Sequence, residues 1–397
     1  MKKNPNRVCI VRHGYYPSDP RVYKEVRALA EAGYEVDVIC LRDVREPLRE
    51  TIGTVRVLRM PHSHRRGSTL RYIFEYGLSI LLMSLVLSLR FFPRRYSVVQ
   101  VNTLPDSLVF STLLPRLFGV RVLLDMHEPS PELLLTKRSD QASERMLHLQ
   151  IFIEKMAIRY ADRVITVNNT IRQRFIERGA SAEKLAVVRN VPTDDFGDNV
   201  TSFEPHSGFV IMTHGTLQPR YGQEVILHAL PRIRDAFDSV RLIIAGSGET
   251  QSELEELAVD LHCDDITEFT GFVSREKIAE LISKADVGIV PLLPGPFAEL
   301  CQPNKLFEYI ALKTAVVASR LPAIEESFDT NCIRFFEAGD AAGLADAVID
   351  LGRDAALRAS LAEQAYTVYQ GLRWSRVGKE YVHIVHSLTG KEEHADA

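Results

Sequence analysis

The stretch RVCIVRHGYYPSDPRVYKEVRALAEAGYEVDVICL, residues 7–41, decides the fold class. Two runs rich in β-branched residues, 7–12 and 34–41, enclose a segment, 22–33, in which apolar residues recur every three or four positions. The runs are typical of buried strands, and the spacing between them is typical of an amphipathic helix. The stretch therefore predicts two parallel strands joined by a helix.

This alternation continues on both sides of a segment rich in Pro, Asp, Asn and Ser, residues 187–208. Further strand-like runs precede it at 55–60, 97–102, 120–128 and 162–168. Five more follow it at 208–215, 240–248, 265–273, 286–293 and 315–319. Strands that alternate with helices predict doubly wound parallel sheets. We therefore expect two α/β domains, joined by a linker within 187–208.

Composition agrees with this division and excludes some classes of protein. A chain of 397 residues with 46% hydrophobic residues is long enough for two ordinary cores. A net charge of −4 argues against a nucleic-acid partner, because such proteins normally carry a basic excess. The five cysteines form no CxxC pair, and the amino-terminal segment has no apolar signal core. We expect reduced thiols and a cytoplasmic protein.

The uncharged run GLSILLMSLVLSL, residues 77–89, allows more than one interpretation. It is shorter than the roughly 20 residues that span a bilayer. Basic residues flank it, among them His64, Arg65 and Arg66 before it and Arg90, Arg94 and Arg95 after it. We favour a buried crossover helix. One alternative is a helix at 70–92 that lies on a membrane surface with its arginines at the headgroups, and the other is a true transmembrane span.

Ligands of open parallel sheets bind beyond the carboxyl ends of the strands, so the loops there are candidate sites. The candidates are Gly14, His127, Gly215, Arg220 and Gly246. Glycine lets a ligand approach the backbone, and a helix start with an arginine attracts phosphate. Structural alternatives remain open: ordinary turns for the glycines, a buried structural role for the histidine, and helix capping for Asp19, which precedes Pro20.

The stretch CQPNKLFEYIALK, residues 301–313, mixes a buried helix face with charge. Helical spacing places Asn304, Lys305 and Glu308 on one stripe. A surface ion pair between Lys305 and Glu308 would contribute only about 0.2–0.5 kcal/mol. We instead expect Asn304 and Lys305 to bind a diphosphate and Glu308 to accept hydrogen bonds from ribose hydroxyls. The loops show no HExxH, DxD or GxSxG motif, so we predict neither a metal site nor a serine hydrolase.

The motifs, taken in order, resemble those of the retaining glycosyltransferases of family 4. The matching series runs from YYPSDPRVYKEVRALAEAGYEV through DMHE, VVRNVP, GTLQPRYG, IAGSGE, FTGFVSREKIAEL and ADVGIVPL to PNKLFEYIAL. The resemblance implies the GT-B fold, in which two Rossmann-like domains face each other across a cleft. It implies an acceptor-side domain at 1–200, a nucleotide-sugar domain at 201–373, and a terminal helix at 374–390 that packs on the first domain.

The resemblance also implies roles for the candidate residues. Arg220 and Lys305 would hold the diphosphate together with Asn304, Gly215 and Gly246, and Glu308 would hold the ribose. The backbone at Phe272 and Val273 would meet the base, Gly14 would approach the phosphates, and His127 would lie at the sugar. The implied reaction is a metal-independent, retaining transfer of a hexose, without a cofactor, from a UDP or GDP sugar to a saccharide or lipid-linked acceptor.

The chain departs from the family pattern in three places: Thr216 and Tyr221 in the second-domain phosphate loop, Leu300, and Lys313 with Thr314, which stand where Gly-Lys-Pro is frequent. Leu300 stands where the family has the first of two paired glutamates, and Glu299 is adjacent but out of register. The departures leave two other function classes open. One is a nucleotide-sugar epimerase or hydrolase, since one fold hosts several chemistries. The other is a degenerate, non-catalytic subunit.

Overall fold

In the computed structural model of the protein, the first strand, helix and strand form a parallel pair with its crossover helix. β1 (Asn4–Tyr15) pairs with β2 (Glu35–Leu41), so that Val8 lies beside Val36. Asp19 caps α1 (Pro20–Glu31) by accepting a hydrogen bond from the backbone N–H of Arg21. The predicted cap is thus confirmed, with proline at the first helical position.

The structure describes residues 3–43, 45–61, 69–137, 144–200 and 208–390. The chain divides into unit 1, Met1–Asn190 with Arg376–Ala397, and unit 2, Val191–Ser375. The change of unit after Asn190 falls inside the polar segment 187–208 and earlier than the predicted boundary at 200. The predicted flanking residues His64, Arg65 and Arg66 lie outside the described residues.

Unit 1 contains an eight-stranded sheet in the order β3-β4-β2-β1-β5-β6-β7-β8, parallel except for the pairing of β3 with β4. The elements that follow β2 are β3 (Arg49–Ile52), β4 (Val55–Met60), α2 (Thr69–Arg94), β5 (Tyr96–Asn102), α3 (Leu113–Leu117), β6 (Arg121–Met126), α4 (Ser130–Lys137), α5 (Glu144–Tyr160), β7 (Arg163–Thr166), α6 (Asn169–Glu177) and β8 (Leu185–Val187). β1 and β5 are buried along their centres, as the continuous apolar runs predict.

Unit 2 contains a six-stranded parallel sheet in the order β11-β10-β9-β12-β13-β14. Its elements are β9 (Phe209–His214), α7 (Gln223–Arg234), β10 (Val240–Ala245), α8 (Gln251–Asp260), β11 (Thr267–Gly271), α9 (Arg275–Ser283), β12 (Val287–Val290), α10 (Asn304–Ala311), β13 (Ala315–Ser319), α11 (Pro322–Glu325), β14 (Arg334–Phe336), α12 (Ala341–Arg353) and α13 (Ala355–Gln370). β9 is the first strand of this unit and lies inside the sheet, so that its carboxyl end is flanked by the loops of its neighbours.

The last helix, α14 (Trp374–Thr389), belongs to unit 1 from Arg376 onward. Tyr381 is fully buried there, and its hydroxyl donates to Oε1 of Gln100 on β5, 2.6 Å away. A second tyrosine, Tyr34, also contacts this helix: its hydroxyl forms a 2.8 Å hydrogen bond with Nδ1 of His386.

The prediction of a buried helix at 77–89 is only half right. In α2, Met83, Leu87 and Phe91 are buried. The opposite side exposes a leucine stripe, of which Leu81 is 66% exposed and Leu89 is 63% exposed. The segment Tyr76–Arg94 is long and apolar enough, by length and composition alone, to cross a membrane. Because α2 connects β4 to β5 of one sheet, its buried side stays on unit 1.

Candidate functional site

The beginning of α10 carries three of the predicted site residues. Asn304 is the first residue of the helix and is exposed, whereas Lys305 is 7% exposed. Nζ of Lys305 donates to Oγ1 of Thr213 near the end of β9, 3.3 Å away. Burial lowers the pKa of Lys305 to about 8, because a buried ammonium loses its hydration. The lysine therefore still carries its charge at neutral pH.

Glu308 lies one turn later and meets a histidine that the sequence analysis did not select. Its Oε2 is 3.3 Å from Nε2 of His214, the last residue of β9, although the two atoms are not aligned for a hydrogen bond. Burial, reinforced by the charge of Lys305, lowers the pKa of His214 to about 3, so this imidazole is neutral. A polar residue at the last position of a buried strand is the signal that identifies such a residue.

Arg220 lies in a short 3-10 turn, Pro219–Tyr221, after β9. Its guanidinium carbon is 4.9 Å from the ring centre of Tyr221 and 5.5 Å from that of Phe297. Its Nε is buried and has no hydrogen-bond partner within the described residues. A buried N–H without an acceptor costs free energy, so an oxygen atom of a ligand would be stabilised here.

Gly215 and Gly246 come from two loops that the sequence analysis treated separately, and the structure packs them against each other. Their φ angles are 119° and 143°, in the region that favours glycine. A Cβ at Gly246 would lie 1.9 Å from the carbonyl oxygen of Gly215. The N–H of Gly246 also donates to the carbonyl of Gly271, which brings the next loop to the same place.

That next loop contains Phe272 and Val273. Phe272 is 85% exposed and Val273 is half-buried. Unit 2 thus brings together the candidates from α10 with those from the loops after β9, β10 and β11. The predicted departure at Leu300 is also visible: Leu300 is buried in the 3-10 turn Ala298–Leu300, and Glu299 is exposed.

Unit 1 contains a cavity of about 230 Å³ at the carboxyl ends of β1, β5 and β6. Gly14 and His127 both line it, together with Tyr76 from α2 and Thr103 after β5. His127 is 6% exposed. Burial and the nearby guanidinium groups hold the pKa of His127 well below its ordinary value, so its ring is neutral.

The structure corrects the predicted position of Gly14. The sequence analysis placed it in a loop after a strand that ended at residue 12, whereas β1 continues to Tyr15 with an irregular register to β2. Its φ angle is not in the left-handed region, and what the glycine supplies is space: an added Cβ would lie 3.0 Å from Nε of Arg12.

Two arginines on the cavity wall, Arg12 and Arg21, were missed by the sequence analysis. Both contact Asp19, at 3.2 Å and 3.4 Å. Burial alone would raise the pKa of Asp19, but Arg21 and Arg12 together hold it below its ordinary value. Asp19 is therefore both a helix cap and the counter-ion of the arginines. Among the described ranges, no group of three His, Cys, Asp or Glu side chains is arranged to hold a metal ion.

Comparison with known proteins gives matches to each unit. Residues 18–191 match the model of the glycosyl transferase 4-like domain, and residues 208–354 match that of the glycosyl transferases group 1. A phosphatidyl-myo-inositol mannosyltransferase of Mycolicibacterium smegmatis is 32% identical over 188 residues, 47% of each chain. That of Mycobacterium leprae is 31% identical over 43% of this chain and 44% of its own. The chain thus spans about half the length of the curated relatives it matches.

Solved structures match over nearly the whole chain. Sucrose-phosphate synthase of Thermosynechococcus elongatus has a TM-score of 0.78 at 18% identity, over 97% of this chain and 99% of that one. Anabaena HepE in complex with UDP-glucose has a TM-score of 0.70 at 16% identity, over 96% and 99%. At these identities the likeness shows the fold alone. With a family model matched in each unit, the chain belongs to the group 1 glycosyltransferases, the family 4 type that has the GT-B fold.

Proposed function

We propose that the protein is a retaining glycosyltransferase that moves a hexose from a nucleoside diphosphate sugar to a hydroxyl group. The observation that carries this proposal is the cluster at the carboxyl end of β9. It combines the buried Lys305, the unpartnered Nε of Arg220, and Glu308 beside a neutral His214. Two cations next to a carboxylate suit a ligand that joins a diphosphate to a ribose. A neighbour of the same fold was solved with UDP-glucose.

Each residue of the cluster has a role in this proposal. Lys305 and Arg220 bind the diphosphate with Asn304 at the start of α10. Glu308 accepts hydrogen bonds from the ribose hydroxyls, and the backbone at Phe272 and Val273 meets the base. The donor would be a UDP or GDP sugar. In unit 1, His127 and Gly14 line the cavity and are our candidates to bind a sugar hydroxyl and to leave room for a phosphate oxygen.

The chemistry needs neither a cofactor nor a bound metal ion in this proposal. The bond between C1 of the sugar and the diphosphate breaks, and C1 bonds to the acceptor oxygen on the same face. The acceptor proton passes to the departing phosphate oxygen. Lys305 and Arg220 stabilise the negative charge that develops on the diphosphate, which is the electrostatic contribution that the chain itself supplies.

An assay of turnover and product stereochemistry tests the proposal. With a panel of UDP and GDP sugars and hydroxyl acceptors, we expect a product with the donor's anomeric configuration, formed equally well in the presence of EDTA. Glu308→Ala should lower turnover, and Glu255→Ala, an exposed glutamate on α8, should not. Release of free sugar or a new sugar nucleotide from the donor alone would replace the proposal with a hydrolase or epimerase. Absence of donor binding in calorimetry would favour a non-catalytic subunit.

We further propose a lipid-linked acceptor and a cytoplasmic protein bound peripherally to the inner face of the membrane. Tyr76 and Ser79 lie in the first half of α2, where Tyr76 lines the cavity and the hydroxyl of Ser79 forms a hydrogen bond with His13. From there the exposed leucines continue along the helix to Arg90. Arg94, contrary to the expectation, is buried and pairs with Glu35 and Asp37. An apolar stripe with the half-buried Arg90 and Arg95 near its end suits the interface of an anionic bilayer. The mycobacterial relatives, whose names include a phosphatidylinositol acceptor, support this choice.

Flotation with liposomes tests the membrane part separately. We expect binding to vesicles that contain anionic lipid, and weaker binding at high salt. Leu85→Glu, which places a charge in the exposed stripe, should abolish flotation. Leu357→Glu, at an exposed leucine of α13 in unit 2, is the matched control and should not. If the wild-type protein stays at the bottom of the gradient at every lipid composition, the membrane proposal is wrong, while the transferase proposal still stands.

A further inference from the structure

A row of buried polar side chains lies behind the cavity of unit 1, and the proposed transfer does not by itself explain it. Gln100 and Asn102 come from β5, Glu25 from α1 and Asp125 from β6. Each is less than 5% exposed. Buried polar groups are stable only when their hydrogen bonds are satisfied, so the donors and acceptors of this row can be assigned one by one.

The assignment begins at α14. The hydroxyl of Tyr381 donates to Oε1 of Gln100, 2.6 Å away, so the oxygen end of this amide is occupied. The nitrogen end then directs its two hydrogens to Oε2 of Glu25, at 2.8 Å, and to Oδ1 of Asn102, at 3.2 Å. The opposite orientation of the Gln100 amide would place its oxygen against the carboxylate of Glu25.

Asn102 continues the chain of donors. Its Oδ1 is occupied by Gln100, and the two hydrogens on Nδ2 point to Oε2 of Glu25, at 3.1 Å, and to Oδ2 of Asp125, at 2.6 Å. No third hydrogen remains for Nε2 of His127, 3.4 Å from Nδ2. The same Nε2 is 3.1 Å from Oδ2 of Asp125, an oxygen that already accepts a hydrogen bond. Nε2 is therefore the protonated nitrogen of His127 and donates to Asp125.

Glu25 and Asp125 both accept hydrogen bonds from Nδ2 of Asn102, so two buried carboxyl groups lie next to each other, and a proton shared between them avoids the repulsion of two negative charges. Burial raises the pKa of both groups, and the negative charge of Glu25 raises that of Asp125 further. We assign the proton to Asp125, which donates it to Glu25 and keeps Oδ2 as an acceptor. The charges of Arg21 and Arg12 disfavour a second proton on His127.

We propose that this relay, from Tyr381 through Gln100, Asn102 and Asp125, fixes His127 in the tautomer protonated at Nε2. Nδ1 has no partner within the part of the chain that the structure describes, and it then offers a lone pair as a hydrogen-bond acceptor for a sugar hydroxyl. The binding of a sugar hydroxyl by Nδ1 rests on the proposed function, whereas the assignment of the tautomer does not. The relay residues are positioning residues, since they act through His127.

The tautomer can be measured without any turnover. Long-range 15N–1H correlation spectra of protein labelled with 15N-histidine distinguish a bare ring nitrogen from a protonated one, and the signal lost in His127→Gln identifies His127. We expect a protonated Nε2 and a bare Nδ1 in the wild-type protein. A protonated Nδ1 would overturn the proposal. Nucleoside diphosphate binding, measured on the same samples, reports separately on the proposed function.

Two tyrosine variants test whether the relay reaches α14. Tyr381→Phe removes the first hydrogen-bond donor of the relay. We expect turnover to fall about tenfold, the lower end of the loss found when the hydrogen-bond partner of a metal-bound histidine is removed. The KM for the sugar donor should stay unchanged, and the nitrogen shifts of His127 should change. Tyr34→Phe removes the other buried tyrosine contact to α14, the one with His386. It should leave both quantities at wild-type values. Equal behaviour of the two variants in turnover and nitrogen shifts would overturn the proposal.

Two variants of Asp125 test the assignment of the shared proton. Asp125→Asn keeps a donor towards Glu25 and an acceptor towards His127, so the tautomer protonated at Nε2 should persist. Asp125→Ala removes both, and the spectrum should then show a mixture of tautomers and a much larger loss of turnover than Asp125→Asn. Loss of the tautomer in Asp125→Asn as well would contradict the proposal.

Discussion

Both units hold a buried, neutral histidine next to an acidic side chain at the carboxyl end of their sheets, but the two environments differ. In unit 1, Nε2 of His127 is held by Asp125 and by the hydrogen bonds behind it. In unit 2, Nε2 of His214 is near Glu308 without a hydrogen bond. Three further buried atoms, in the loops after β9 and β10, have no partner within the described residues: Oε1 of Gln218, Nε of Arg220 and Oγ1 of Thr250.

The two histidines differ in how completely the polar groups around them are hydrogen-bonded within the protein itself. The polar groups behind His127 are satisfied before a ligand arrives, so their geometry is fixed in the free protein. Six buried side-chain atoms of unit 1 also have no hydrogen-bond partner within the described residues: Nε of Arg12, Arg59 and Arg163, Oγ1 of Thr103, Oδ1 of Asp106 and Oγ of Ser111. Of these residues, Arg12 and Thr103 line the cavity. In unit 2, the four residues with unpartnered atoms lie at the end of β9 and in the loops after β9 and β10, which also contribute the proposed nucleotide site. A ligand there gains the hydrogen bonds that the protein does not make for itself.

Substituting one glycine in each unit, Gly246 and Gly14, should give the largest difference in stability between the two units. Gly246→Ala would place a Cβ 1.9 Å from the Gly215 carbonyl oxygen at a φ angle of 143°. We expect a loss of about 3 kcal/mol or more in the free energy of unfolding, from overpacking and left-handed strain together. In unit 1, Gly14→Ala meets only the flexible side chain of Arg12 and should cost less than about 1 kcal/mol. Chemical denaturation of both variants measures the difference.

The control for Gly246→Ala is Gly271→Ala, at a φ angle of 67° with no atom within 4 Å of the added Cβ. Strain alone should cost it about 1–2 kcal/mol. If Gly246→Ala is no less stable than Gly271→Ala, the two glycine loops are not in backbone contact.

Removing the charge of Lys305 should have the next largest effect. Lys305→Ala deletes a buried cation from the proposed diphosphate site, and the loss of a hydrogen bond to a charged group costs about 1.5–3 kcal/mol, or about 10–100-fold in affinity. His127→Ala should leave nucleoside diphosphate affinity unchanged and lower turnover. Calorimetry with UDP and GDP measures the affinities, with Lys277→Ala, an exposed lysine on α9, as the control. Equal affinity of Lys305→Ala and wild type would remove unit 2 as the nucleotide site.

The depressed pKa of Lys305 predicts how affinity depends on pH. Since its pKa is about 8 in the free protein, the charged form that binds a diphosphate becomes scarcer as pH rises through this value. We expect affinity to fall by up to about tenfold per pH unit above 8, equivalent to about 1.4 kcal/mol. Lys305→Arg stays charged and should flatten the profile between pH 7.5 and 9.5. A wild-type profile as flat as that of the arginine variant would contradict the assignment.

Arg220→Lys should have the smallest effect. The substitution keeps the charge and removes the planar group that lies over Tyr221 and Phe297, together with the unpartnered Nε. Loss of an exposed or half-exposed cation–π contact is worth about 0.5–1 kcal/mol, so affinity should fall only a few-fold. Arg220→Ala, which also removes the charge, should lower the affinity for the nucleoside diphosphate further. The same affinity for both variants would show that the planar group, not the charge, holds the ligand.

Much of the fold was predictable because it depends on local patterns. The alternation of strand-like and helical runs predicted the parallel strands of both units. The spacing of Lys305 and Glu308 predicted that they share one side of α10, and both meet residues at the end of β9. The prediction for α2 was half right, because an apolar run does not tell which side of a helix is covered. Gly14 was placed in a loop because the pattern does not show where an irregular strand ends.

The sequence by itself determined the order of strands and helices and the charged start of α10, and it offered Asp19 as a cap of α1, because these features depend on residues within a few positions of one another. Only the tertiary structure decided which buried groups meet: His214 with Glu308, Gly215 with Gly246, and Tyr381 with Gln100. The physical reason is that burial and hydrogen-bond partners set the protonation of His127, Asp125 and Lys305, and those partners come from distant parts of the chain.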